Sequence, residues 1–148
     1  MADTVNLVYD FANLVDELKE IPMTELIRAV DTRLTETPNG RMTTLASPTL
    51  GDSDGLSLWQ VEMSAGASGP RHAFDSEQIW TVQAGRIVVD LAGTRCRLEQ
   101  GDTIVLAAGV ERQIHADSDA RMLVCGHGKA SVSVPGEPAP RGTPAWIA

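Results

Sequence analysis

The chain has 148 residues, a length that suits one domain with a sizeable core. Twelve basic residues against 20 acidic ones give a formal net charge of −8. Such a surface repels nucleic-acid phosphates and anionic lipid, so neither is an expected partner. Hydrophobic residues make up 43% and charged residues 22%, ordinary values for a soluble globular protein. With three Trp, two Phe and one Tyr, most of the core must rest on Val, Leu, Ile and Ala.

The opening stretch MADTVNLVYDF has no basic start followed by an apolar run, so it does not read as a secretory signal. No apolar stretch approaches the roughly 20 residues of a membrane helix. A cytoplasmic protein is expected. Residues 11–34 carry helical spacing. Phe11, Leu14, Val15 and Leu18 form one stripe, and Met23, Leu26, Ile27, Val30 and Leu34 form a second. Pro22 separates the two, Asp10 caps the first and Thr24 the second. The stripes are expected to pack on the main domain or on a second copy of the chain.

At TPNGR, residues 37–41, a turn signal changes the pattern to strands. RMTTLASP and LSLWQVEMS come first, followed by EQIWTVQ, RIVVDLAG, TRCRLEQ, TIVLAAG, ERQIHAD and RMLVCGHG. They are short and punctuated by glycine turns, as in a β-sandwich or small barrel. The tail from residue 133 carries Pro135, Pro138, Pro140 and Pro144 and should be extended. Trp146 and Ile147 are unusual in a free tail, so docking on this barrel or a neighbour's is expected. Cys96 and Cys125 form no C-x-x-C pair and read as reduced packing residues.

Two stretches give the strands a more specific resemblance. Gly66 is followed by five residues and His72; Phe74 comes two later, three residues separate it from Gln78, and six more lead to Gly85. Further on, Gly101 is followed by five residues, then Ala107, Gly109, Arg112 and Ala116. This framework resembles the two motifs of the cupin family, over about residues 41–130. The resemblance implies an antiparallel β-barrel, or jelly roll, in one domain. It also implies that a metal, where present, would be held by three imidazoles and a carboxylate. At those four positions this chain has His72, Phe74, Gln78 and Arg112. Phenyl cannot coordinate, a neutral amide is a weak ligand, and a guanidinium has no lone pair to give.

Strand alternation puts Val110, Arg112 and Ile114 on one face, and Gln78, Trp80 and Val82 together on another inward face. Glu77 would replace Gln78 only if the strand slipped by one residue; it is otherwise a candidate to orient His72 or neutralise Arg112. His115 falls on the outer face, and His127 shares a face with Cys125 near the barrel mouth. The expected architecture is an all-β cupin barrel at 41–130, with an N-terminal helical extension at 1–40 and an extended Pro-rich arm at 131–148. The expected ligand is a small organic molecule with an anionic or oxygen-rich group. His72 and Arg112 are the catalytic candidates, with His72 moving protons and Arg112 clamping an oxyanion. Gln78, Trp80, Phe74, Trp59 and Cys125 are the substrate-binding candidates. This reading needs no cofactor and no metal, and gives a cyclase, isomerase or lyase, expected as a homodimer. The alternatives are a non-catalytic cupin that binds or senses a small molecule, and a metal-dependent oxygenase or lyase with atypical ligands, such as His72, His127 and a carboxylate.

Overall fold

The computed structural model describes residues 25–148. The first helical stripe therefore lies outside the described residues. Of the second stripe, residues 25–28 are irregular, Ala29–Asp31 form one 3-10 turn, and Leu34 is already in a strand. The helical spacing over residues 25–34 thus does not become an α-helix. A β-branched, charged run (RLTET) leads straight into the Asn39-Gly40 turn and pairs with the strand that follows.

Eleven strands make up the described chain. They are β1 (Arg33–Thr37), β2 (Gly40–Ala46), β3 (Leu56–Met63), β4 (Ala73–Phe74), β5 (Gln78–Ala84), β6 (Ile87–Leu91), β7 (Thr94–Leu98), β8 (Thr103–Leu106), β9 (Gln113–Ala116), β10 (Ala120–His127) and β11 (Val132–Ser133). A six-stranded sheet runs β1-β2-β3-β10-β5-β8, a three-stranded sheet β7-β6-β9, and β11 pairs with β4. All pairings are antiparallel. The sheet takes in β1, which the sequence reading assigned to the N-terminal extension.

Period-two burial decides which residues meet between the sheets. Along β3, Ser57, Trp59, Val61 and Met63 are buried and the residues between them are not; along β10, Met122, Val124 and Gly126 are buried. These rows, with Val82, Val89, Leu106 and Ile114, form one core. Gly85 shows why the motif glycines sit where they do. Its φ is +77°, and a Cβ there would lie 2.0 Å from the Asp119 carbonyl oxygen, so the turn leaving β5 admits only glycine.

The Pro-rich arm is docked rather than free. Val132 exchanges backbone hydrogen bonds with Gly142 and Arg141, folding residues 132–142 back on themselves. Beyond that loop, Ile147 is fully buried. The Thr44 hydroxyl donates to the Trp146 carbonyl at 2.7 Å, Arg33 Nη2 donates to the Ala145 carbonyl at 3.0 Å, and the Ser57 hydroxyl donates to the Ile147 carbonyl. Side chains of β1, β2 and β3 thus hold the last turn of the arm against the barrel.

Candidate functional site

Between the sheets lies a cavity of about 390 Å³, lined chiefly by apolar side chains with a few polar groups. That composition and size are those of a small-molecule site. Its polar side chains include His72 and Gln78, and its aromatic ones are Trp59, Phe74, Trp80 and Trp146.

The segment carrying His72 runs antiparallel to the one carrying Arg112. The His72 N–H donates to the Arg112 carbonyl at 2.9 Å, and the Arg112 N–H donates to the His72 carbonyl at 2.8 Å. Residues paired in this way project their side chains to the same face. His72 is half-buried and faces the cavity. Its Nδ1 lies 2.8 Å from the Pro70 carbonyl, which can only accept. In the neutral ring Nδ1 therefore holds the proton and Nε2 the lone pair. Burial holds the His72 pKa below the ordinary imidazole value. The Pro70 hydrogen bond works against that shift, and the positive charge of Arg112 adds to it.

Arg112 is fully buried, and none of Nε, Nη1 or Nη2 has a hydrogen-bond partner among the described residues. Its guanidinium carbon sits over the Phe74 ring, 5.4 Å from the centroid, and the His72 ring meets Phe74 edge-on at 5.4 Å and 88°. Burial lowers the Arg112 pKa to about 10, which still leaves it cationic at neutral pH. Arg112 is not part of the cavity wall. Phe74 and His72, which neighbour the guanidinium, do line the cavity.

Gln78 is buried in register with Gly126 and Leu106. Its Oε1 accepts from Trp80 Nε1 at 3.1 Å, while its Nε2 has no partner among the described residues. Glu77 is exposed, and among the described residues the His72 Nδ1 is held by the Pro70 carbonyl and no hydrogen bond reaches the Arg112 guanidinium. The expected inward placement of Cys125 is corrected by the strand register. Cys125 alternates with buried Val124 and Gly126, stands opposite Leu58 and Ile79 on the outer face, and does not line the cavity. His127 lies on that outer face and is exposed. His115 is half-buried, with Nδ1 2.6 Å from the Ser68 hydroxyl.

Sequence reasoning missed the contributions of the β1–β2 turn and the arm. Asn39 and Met42 line the cavity from one side, and Val132, Arg141, Pro144 and Trp146 from the other. The signal was the aromatic residue at the end of a proline-rich tail. It implied docking but not against which surface.

The motif positions do not fit a metal ion. One imidazole and one neutral amide oxygen, already engaged by Trp80, face a buried guanidinium that would repel a cation. Among the described residues no three His, Cys, Asp or Glu side chains are grouped to hold one, so His72, His127 and a carboxylate are not brought together. Nor is any helix among them long and apolar enough to cross a membrane.

The family model described as Cupin domain matches residues 59–126. No curated protein matches the chain. Among solved structures, an RmlC-like cupin from Shewanella frigidimarina is 17% identical with a TM-score of 0.60, covering 71% of this chain and 91% of that one. KdgF from Halomonas sp. is 20% identical with a TM-score of 0.60, covering 71% and 94%. The polyketide cyclase RemF from Streptomyces resistomycificus is 19% identical with a TM-score of 0.63, covering 81% and 85%. At these identities the likeness concerns the fold.

Proposed function

Because this chain is a cupin whose metal-ligand positions hold His72, Phe74, Gln78 and Arg112, we propose that its barrel binds a small organic anion and acts on it by acid–base chemistry without a metal. One observation carries the reading: among the described residues, the fully buried Arg112 cation has no counter-charge and no hydrogen-bond acceptor. An isolated buried charge is costly, and an anion entering the adjacent cavity offsets that cost. The unpartnered Gln78 Nε2 offers the ligand a donor, and the neutral His72 offers Nε2 as a base. As a proton leaves carbon or oxygen of the ligand, negative charge grows on an oxygen within the field of Arg112. That field favours the charged transition state. Isomerisation, cyclisation or elimination fits this set. A polyketide cyclase and KdgF share the fold, which is compatible with such chemistry and fixes no substrate.

The test is a thermal-shift screen of small carboxylates and phenolates against their uncharged amides and ethers. Anions should stabilise the protein and their neutral counterparts should not, and Arg112→Met should erase the difference. Equal stabilisation by both classes would end the reading. A ligand found in this way then separates enzyme from binding module. With His72→Ala, an enzyme keeps the ligand but loses solvent-deuterium exchange into it, whereas a binding module shows no exchange even in the wild type.

A further inference from the structure

All three tryptophans of the chain line one cavity, together with Phe74. The two remaining aromatic residues, Tyr9 and Phe11, lie outside the described part, so every described Trp, Phe or Tyr faces this space. Core packing explains Trp59, Phe74 and Trp80, which sit on barrel strands and are almost wholly buried. Trp146 also packs against that core, but it is only half-buried and arrives from an arm outside the barrel. The arm is built to hold that residue still. Thr44 grips its carbonyl at 2.7 Å, Arg33 grips the carbonyl before it at 3.0 Å, and the buried Ile147 anchors the position after it. An indole held on both sides along the backbone, with part of its surface open to a cavity, is a preorganised ligand contact.

We infer that the cavity takes a flat aromatic carboxylate or phenolate of about bicyclic size, and that Trp146 is the residue selecting for flatness. The inference rests on the anion-binding reading above and adds the shape of the ligand's apolar body. Aromatic rings on the wall reward a ligand with π-faces and edges beyond what area burial gives. A puckered ring of equal size and charge loses that part while keeping the attraction of Arg112. Met42 and Met63, also on the wall, are adaptable and polarizable neighbours for an aromatic body.

The experiment compares 2-naphthoate with trans-decahydro-2-naphthoate, its saturated and non-planar counterpart, by calorimetric titration of the full chain. The expected result is roughly tenfold tighter binding of 2-naphthoate, equivalent to about 1.4 kcal/mol. Trp146→Leu should weaken 2-naphthoate more than the saturated acid and so remove most of that preference, and Trp146→Phe should restore much of it. Equal affinities in the wild type would overturn the aromatic inference while leaving anion binding intact. Binding of neither acid would overturn both. An unchanged preference in Trp146→Leu would overturn the assignment to Trp146. If that variant does not fold, the wild-type comparison still decides the ligand's shape.

Discussion

His72 and Arg112 face each other as a backbone-bonded pair, 2.9 and 2.8 Å apart at their two N–H···O contacts, and among the described residues neither side chain is paired with a carboxylate. An imidazole in that position pays twice for a proton, once through burial and once through the neighbouring cation. The NMR titration midpoint of His72 should therefore lie below 6.5, and Arg112→Met should move it upward. The same shift sets a stability trend. The unfolded chain takes up the His72 proton first as pH falls through 6.5, so folded stability declines from there and the loss is complete once pH passes the folded value. His72→Gln should flatten this part of the stability–pH curve. A midpoint above 6.5 would contradict the geometry.

Apart from its contact over the Phe74 ring, the Arg112 guanidinium makes no side-chain interaction in the ligand-free protein among the described residues. Burial lowers its pKa to about 10, which marks a cost of keeping the charge inside. Replacing buried charge by a well-packed apolar group is commonly neutral or stabilising. Arg112→Met should leave the ligand-free protein as stable as the wild type or up to about 3 kcal/mol more stable in urea unfolding. Its affinity for organic anions should fall at the same time. A loss of stability of several kcal/mol would mean that the guanidinium has a partner after all.

The glycines of the two motifs are kept, although Ala107 and Ala116 stand where the second motif has proline and asparagine, so a metal site should be recoverable by substitution at the donor positions. Phe74→His with Gln78→Glu restores two donors beside His72, but Arg112 still repels a cation. Two unit charges about 4 Å apart at an effective dielectric near 20 oppose each other by ~4 kcal/mol. Adding Arg112→His should therefore raise affinity for zinc or nickel by at least roughly hundredfold over the double variant. Metal analysis after gel filtration and competitive titration would measure this. Comparable affinity with and without the change at position 112 would show that Arg112 does not guard the site.

The barrel was legible because its signals are local. Gly66, Gly85, Gly101 and Gly109 all take positive φ, which the turn residues of the sequence announce directly. The inward direction of Arg112 and Gln78 followed from alternation with apolar neighbours, and their burial agrees with it. Cys125 could not be placed in this way. Met122, Leu123, Val124 and Cys125 are all apolar, so period two leaves no mark, and only pairing with β3 and β5 decides the face. Leu34 failed for a related reason. Its spacing fits a helical stripe, yet the Asn39-Gly40 turn draws it into a hairpin with β2. The cavity wall supplied by Trp146 rests on contacts about a hundred residues apart in sequence, such as Thr44 with Trp146, and no local pattern encodes those.

The docked arm gives the last prediction, since it ties stability to the site. Ile147 is fully buried, and its neighbours hydrogen-bond to β1, β2 and β3 rather than to solvent. Ile147→Ala should cost about 2–4 kcal/mol if the wall it leaves cannot collapse. The exposed Val105 on the outer face, changed to Ala, should cost well under 1 kcal/mol as a control. Because Ile147 adjoins Trp146, the loosened arm should also weaken ligand binding without altering the His72 titration midpoint. Urea unfolding and the naphthoate titration, run on the same variant, read the two effects separately. A variant as stable as the wild type, or one with a shifted imidazole midpoint, would contradict an arm that acts only as the outer wall.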